Sequence, residues 1–262
     1  MNTVNHRKSC IADINLIDAH YQSFAFKRHY HLNYHLGLIT EGEQEYHFHG
    51  ARYLAGAGQM VMMPPDEIHD GQPHARGYKV KVFSITPDWL DHQAYELAGP
   101  QQIHFPRNLI TDPQLFRQLS QLHDQLSNPH FPQLAKESMP LEFFSRLLSR
   151  YGQLRPNAVA ALGSKDLHQL RDYLMAHLDQ KISLETLARL CDLSPSQLLR
   201  QFKKATGMTP YAWLARLRLE HAMALLKAGY SSTDVAYHVG FYDQAHFTRT
   251  FKQTFGVAPS GI

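Results

Sequence analysis

Apolar positions change period once along this chain. Up to about residue 105 they come in short runs: "YHLGLIT" (34–40), "QEYHFH" (44–49), "QMVMM" (59–63) and "YKVKVFSI" (78–85). Between them, "EGE", "HGAR", "AGAG" and "PPDE" carry the glycines and prolines at which strands stop. In "YKVKVFSI", Val80, Val82 and Ser84 alternate with Lys79, Lys81 and Phe83, the period of a half-exposed strand. Many short strands at this spacing predict an antiparallel sandwich or small barrel.

After Pro106 the spacing becomes helical. One helix is predicted at about 112–127, with Thr111 or Asp112 as N-cap and Pro113 at the first helical position. Its Leu115, Leu119, Leu122 and Leu126 recur at 4, 3 and 4, a narrow seam. A second helix, about 135–151, carries Met139, Phe143, Phe144, Leu147 and Leu148. The pair either covers the barrel or presents the Leu seam as a dimer face. "GQLRPNAVAALGSK" opens a linker at 152–164, with Pro, Gly and small residues and no stripe. The expected division is a barrel domain at 1–151, the linker, and an all-helical domain at 165–262.

That second domain repeats itself. "SPSQLLRQFKKATG" (194–207) aligns with "DQAHFTRTFKQTFG" (243–256) at an offset of 49. The alignment matches N-cap types at Ser194 and Asp243, apolar Leu198 with Phe247, and Arg200 with Arg249. It continues through Phe202 with Phe251, Lys203 with Lys252, and the end glycines Gly207 and Gly256. Each segment follows a short helix and a tight turn, in "SLETLARLCDL" and "SSTDVAYHVGFY". There Ala188 aligns with Ala236 at an offset of 48, so the second turn is one residue longer. This is the helix-turn-helix pattern, twice. At 100° per residue, Leu198 and Phe202 inward leave Ser196, Gln197, Arg200, Lys203 and Lys204 on the opposite side. Phe247 and Phe251 inward leave Ala245, His246, Arg249, Lys252 and Gln253. A polar face opposite an apolar stripe is what any surface helix shows. Its repetition with cap, arginine and glycine points instead to two helices laid in the major groove, where arginine reads guanine, glutamine reads adenine and lysine neutralises phosphate. The connecting helix, from Thr209 as N-cap and Pro210 to Gly229, gives about 18 residues and ~27 Å, near the ~34 Å between successive grooves on one face of the duplex.

Charge supports the division. The net charge is +3 over 262 residues. From residue 164 onward there are 12 Lys and Arg against 8 Asp and Glu; before it, 14 against 15. Histidine is skewed the other way, with 13 of 18 before residue 164 and seven from His29 to His74. No stretch approaches the ~18 apolar residues of a membrane helix, and the start lacks the apolar core of a signal peptide. Cys10 and Cys191 form no disulfide framework and no zinc spacing. The cytoplasm is the expected compartment.

The segment from "LARLCDLSPSQLLRQFKKATG" through "RLRLEHAMALL" to "GFYDQAHFTRTFKQTFGVAPSGI" resembles the DNA-binding domain of AraC/XylS-type transcription regulators, over about 165–262. The resemblance implies base contacts from Ser196, Leu199 and Arg200, and from Gln244, Ala245, His246, Thr248 and Arg249. Gln197, Lys203 and Lys252 join them as groove and phosphate contacts. Leu199 and Ala245 would offer apolar contact alone. The family ends on a Tyr-Arg pair after the last proline; "APSGI" departs from it.

The N-terminal "HYHLNYHLGLITEGEQEYHFHGARYLAGAGQMVMMPPDEIHD" resembles the cupin barrel that accompanies this domain. His29 and His31 match its first motif; Gly58, Pro64 and His69 match its second. Metal-binding cupins use two histidines and a glutamate of motif one with a histidine of motif two. Here "LNYHLGL" lacks the glutamate, although His35 is present. His29, His31 and His69 are therefore candidates for a metal, for contacts to an organic effector, or for plain structural roles, and no cofactor is assigned. Tyr34, His35 and Tyr46 join them as candidate effector contacts. His47 and His49 flank a hairpin turn and read as solvated.

The fold expected is an α+β two-domain chain, a cupin-like antiparallel barrel with following helices and an all-α tandem helix-turn-helix domain with a linker helix. The function expected is a DNA-binding regulator, not an enzyme, whose barrel senses a small molecule. Its expected partners are double-stranded DNA, the effector, RNA polymerase and a second copy of the chain. The rivals are a metal-dependent cupin enzyme tethered to nucleic acid, and a constitutive DNA binder whose inert barrel dimerises. The missing glutamate and the want of a paired acid–base or nucleophile arrangement count against the enzyme.

Overall fold

The computed structural model describes residues 2–155, 159–255 and 257–262. Gly256 and the middle of the expected linker, 156–158, lie outside the described residues. The N-terminal strands are β1 (Thr3–Lys8), β2 (Ile14–Tyr21), β3 (Phe26–His29), β4 (Tyr34–Phe48), β5 (Ala51–Gly56), β6 (Met60–Met63), β7 (His69–Ile85) and β8 (Leu109–Ile110). With them lie α1 (Pro87–Ala98), α2 (Pro113–Gln125) and α3 (Gln133–Tyr151). The chain divides into two compact units. One runs to Phe131 and resumes at Met139; the other takes Pro132–Ser138 and the residues from 159 to Ile262.

The first unit is built on one antiparallel sheet in the order β1-β2-β7-β4-β6-β8, with β3 also on β7 and β5 also on β4. Two long strands carry it. Residues 34–39 of β4 pair with 80–85 of β7, and residues 43–48 pair with 69–74. The register slips between these stretches, around Glu41 to Glu43. The "EGE" expected to be a turn is therefore a bulge inside a continuous strand, which bends the sheet without ending it. Two long, bulged strands with different neighbours on their two halves curl the sheet toward a barrel.

Period two sorts the two faces of this sheet. Leu16 of β2, Leu36 and Leu38 of β4, Met60 and Met62 of β6, and Phe83 and Ile85 of β7 share a core with the helices. Ala19, Ile39, Val61, Met63, Tyr78 and Val80 form the core of the opposite, lumen side. Strand β7 is thus not half-exposed at its end: Phe83 is fully buried, its ring edge-on to Phe144 at 5.5 Å. The helices also decide the Leu seam. Leu115, Leu119, Leu122 and Leu126 are all at most 1% exposed inside this same core. The seam covers the barrel of its own chain and offers no face to a second copy. Asp112 is the N-cap, accepting from the Leu115 N–H at 3.0 Å. Within the stretch expected to hold strands alone, Thr86 and Pro87 start α1.

The second unit contains α4 (Ser164–Ala176), α5 (Leu184–Arg189), α6 (Pro195–Thr206), α7 (Pro210–Lys227), α8 (Ser232–His238) and α9 (Gln244–Phe255), then a 3-10 turn at Pro259–Gly261. The repeat survives down to single hydrogen bonds. Leu193 N–H donates to Ala188 C=O at 3.1 Å and Phe241 N–H to Ala236 C=O at 2.9 Å, an offset of 48. Both turns contain a left-handed residue, Asp192 (φ 53°) and Gly240 (φ 76°), again 48 apart. From there to the N-caps Ser194 and Asp243 the offset becomes 49, so the extra residue lies just before α9. The two helix-turn-helix cores share α7: Phe202 of α6 packs on Trp213 with centroids 4.9 Å apart, while Leu219, Ala222 and Leu226 pack with Phe247 and Phe251.

Candidate nucleic-acid interface and lumen cavity

Helices α6 and α9 are each 12 residues long and start from a satisfied cap. Ser194 Oγ accepts from Gln197 N–H at 3.2 Å, and Gln197 Oε1 accepts from Ser194 N–H at 3.0 Å, a reciprocal capping box. Asp243 Oδ1 accepts from His246 N–H at 2.6 Å. Gly207 closes α6 in the left-handed conformation, its N–H donating to Lys203 C=O at 2.8 Å. The matched apolar pairs are the cores expected: Leu198, Phe202, Phe247 and Phe251 are at most 1% exposed.

The outward faces differ between the copies. On α9, Gln244, Ala245, Arg249 and Lys252 are exposed and Thr248 is half-buried. His246 sets its ring edge-on to Phe241 at 5.4 Å, and burial lowers its pKa, so it is a neutral, partly inward group. Gln244 Nε2 donates to Ser232 Oγ at 3.1 Å, tying the start of α9 to α8. On α6, Gln197 and Lys204 are exposed and Arg200 and Lys203 half-buried.

Four expectations for α6 need correction. Arg200, expected to point outward, keeps Nε and Nη1 of its guanidinium buried. Leu199 is 4% exposed and Ser196 6% exposed, so neither reaches a base in this conformation. For Leu199 the reason is angular: it lies about 60° from Phe202, on the flank of the apolar arc. Ser196 is covered although its counterpart Ala245 is open. Gln197 has its amide oxygen committed to the cap, which removes the acceptor of a bidentate adenine contact. The 159–162 segment also lies along α6, where Lys204 Nζ donates to Val159 C=O at 2.5 Å and Leu162 N–H to Gln201 C=O at 3.4 Å.

In the first unit, the lumen side of the sheet encloses a cavity of about 330 Å³. His29, His31, His35 and His69 line it, with Tyr21, Phe26, Gln44 and Tyr78, and the strand residues Val61, Met63, Val80 and Val82. Two expected contacts are elsewhere. Tyr34 precedes His35 on β4, so the pleat turns it to the helix side, 8% exposed and 6.4 Å from the Phe105 ring. Tyr46 is on the lumen side but fully buried, stacked on Tyr53 at 5.2 Å, and does not line the cavity. Tyr78 was missed, although it continues the parity of Val80 and Val82. Tyr21 and Phe26 come from β2 and β3, for which the local pattern carried no clear signal.

The histidines come together from separate segments. His29 faces His69 across the β3–β7 pair. Ring centroids are 4.5 Å apart for His29 and His69, 4.8 Å for His29 and His31, and 4.9 Å for His31 and His69. His31 also stacks on His35 at 3.7 Å and 22°. Burial, reinforced by the neighbouring histidines, lowers the pKa of His31 to about 3 and of His35 to about 4; burial also lowers that of His69. These rings are neutral at pH 7. The cupin resemblance implies a glutamate among them, and the nearby carboxylates are engaged elsewhere. Glu45, the buried carboxylate of β4, accepts from Arg52 at 2.5 Å and from Gln72 at 3.1 Å. Asp70, at the cavity wall, accepts from the His47 N–H at 2.8 Å. What converges is an all-imidazole donor set. Among the described residues, no helix is long and apolar enough to cross a membrane.

Comparison with known proteins agrees with both units. The family described as the AraC-like ligand binding domain matches residues 11–144, and the helix-turn-helix domain family matches 187–262. The chain is 29% identical over 250 residues to the HTH-type transcriptional activator RhaS of Enterobacter sp. (strain 638), covering 91% of this chain and 87% of that one. It is 25% identical over 223 residues to the uncharacterized HTH-type transcriptional regulator YbfI of Bacillus subtilis, covering 84% of this chain and 81% of the relative. Among solved structures, an apo form of ToxT from Vibrio cholerae aligns over 97% of this chain and 98% of its own, at 13% identity and a TM-score of 0.43. With a ligand-binding barrel ahead of a tandem helix-turn-helix, the chain belongs to the AraC family of transcription regulators.

Proposed function

We propose that the lumen cavity binds a small-molecule effector through His29, His31, His35 and His69, without turnover, and so changes how the helix-turn-helix units hold an operator. The exposed face of α9 carries this reading furthest, because it presents Arg249 and Lys252 outward beside a capped, well-packed first turn. Arg249 reads a base, Gln244 and Thr248 flank it, and Lys252 holds phosphate. On α6, Lys203 is the phosphate contact, and Arg200 reads a base once its guanidinium, whose Nε and Nη1 are buried here, turns outward. The regulator works in the cytoplasm with a second copy of the chain and RNA polymerase as partners. An effector acts only through different affinities for two conformations, since equal binding to both shifts nothing.

Selecting genomic fragments bound by the purified chain yields the operator. On it, Arg249→Ala should cost ~1–3 kcal/mol and relax the preference at particular base pairs. Lys252→Ala should weaken every sequence alike and reduce the salt slope by about 1. Identical behaviour of the two variants would refute the division of roles.

A further inference from the structure

We propose that the lumen cavity takes an uncharged molecule with two adjacent hydroxyl groups on a compact apolar ring, the hydroxyls donating to His29 and His69. The proposal rests on the effector reading above and names the chemical class which that reading leaves open.

The tautomers fix the direction of the hydrogen bonds. His29 Nδ1 lies 2.7 Å from Lys27 C=O, and His69 Nδ1 lies 2.9 Å from Glu67 C=O. A carbonyl only accepts, so each Nδ1 carries the hydrogen and each Nε2 keeps its lone pair. The two residues face each other across the β3–β7 pair, with ring centroids 4.5 Å apart. The wall thus offers two neighbouring acceptors, oriented by the backbone, to a ligand that has to donate. Gln44 also lines the cavity, and its amide supplies a donor for a hydroxyl oxygen. A hydroxyl donates and accepts, which matches this set; an ether oxygen only accepts and does not.

Charge and shape narrow the class further. Among the described residues neither lysine nor arginine lines the cavity, and Asp70 is the only acid there. A carboxylate or phosphate would meet imidazole lone pairs and no cation. An ammonium would leave water for a carboxylate already engaged, since Asp70 accepts from His47 N–H at 2.8 Å and lies 3.1 Å from His47 Nδ1. An uncharged ligand avoids both costs. Its apolar part has a place: Tyr21 sets its ring edge-on to Phe26 at 5.0 Å and 5.4 Å from Tyr78, a connected aromatic wall for the face of a ring. A cavity of about 330 Å³ stands at the low end of the ~300–1,000 Å³ of small-molecule sites, room for one ring and not for a long chain.

The test is calorimetric titration of the full chain, in chelating buffer, with catechol and with the cis vicinal cyclohexanediol, which separate an aromatic from an aliphatic source of the diol. Three companions keep the size and change the chemistry: the dimethyl ether of catechol, benzoate and benzylammonium. At least one diol should bind one site per chain with Kd below about 1 mM, and each companion at least roughly tenfold more weakly. His29→Phe and, separately, His69→Leu should each weaken the diol roughly tenfold while circular dichroism stays unchanged, and His92→Ala, exposed on α1, should leave it intact. Equal binding of the dimethyl ether would overturn the donor argument. Tighter binding of benzoate or benzylammonium, lost in the histidine variants, would overturn the class and leave the effector cavity standing. Diol binding that both variants leave unaltered, or no binding by any probe, would overturn the proposal; operator binding by the same chain would still uphold the regulator.

Discussion

Replacing Gly240 with alanine should destabilise the helical unit far more than the same change at Gly207. Both glycines are left-handed, with φ of 76° and 72°. An alanine there costs about 1–2 kcal/mol on backbone grounds, partly offset by the entropy it removes from the unfolded chain. The surroundings differ. A Cβ on Gly207 meets nothing within 4 Å. On Gly240 it would lie 2.5 Å from Leu178 O and 2.8 Å from Arg218 Nη2. That arginine is half-buried and already engaged, Nε donating to Leu178 C=O at 2.8 Å and Nη2 to Gln180 C=O at 3.1 Å. Displacing it sacrifices hydrogen bonds from a charged group, about 1.5–3 kcal/mol each. The total expected at Gly240 is about 3–5 kcal/mol, against about 1 kcal/mol at Gly207. The chain has two tryptophans, Trp89 and Trp213. In a Trp89→Phe background, urea unfolding followed by Trp213 fluorescence reads the helical unit. With m near 2 kcal/mol/M, a ~2 kcal/mol difference separates the midpoints by about 1 M. Equal shifts, or a larger one for Gly207→Ala, would refute the idea that the α8–α9 turn is held against Arg218.

The remaining predictions concern the barrel unit. His123 is fully buried; Arg7 donates to its Nδ1 at 3.1 Å and its Nε2–H donates to Val82 C=O at 3.2 Å, which fixes the neutral tautomer. Burial lowers its pKa to about 4, against 6.5 when unfolded, so the unfolded chain takes up the proton first. Stability should be full above pH about 6.5 and fall toward pH 4 by at most about 3 kcal/mol from this residue. His31 and His35 add slope in the same window; Trp89 fluorescence in a Trp213→Phe background should show His123→Gln flattening only its own share. Leu119→Ala, in the middle of the buried seam, should cost the barrel unit about 2–5 kcal/mol in the same assay while leaving the association state unchanged in sedimentation. A loss of self-association with little loss of stability would restore the seam as an interface.

Much of this molecule could be read from neighbours in sequence, because caps, periods and repeats are written in consecutive residues. Ser194, Thr209 and Asp243 could be picked out as caps, and Asp112 as one of two candidates with Thr111, since their partners lie three residues on. The offsets of 48 and 49 emerged from aligning the chain with itself, whereas Tyr34 and His35 are both read as effector contacts although period two puts them on opposite faces. What tertiary structure decided was whatever depends on distant segments meeting. The bulge that makes β4 one strand needs β7 beside it, and the Leu seam faces inward onto a core it shares with Phe83 of the sheet and Phe144 of α3. Equal wheel positions at Ser196 and Ala245 ended in unequal burial. His29 and His69 are 40 residues apart in sequence and became neighbours only through strand pairing. Local rules speak for a dozen residues at a time, whereas a binding site is closed by the packing of the whole unit.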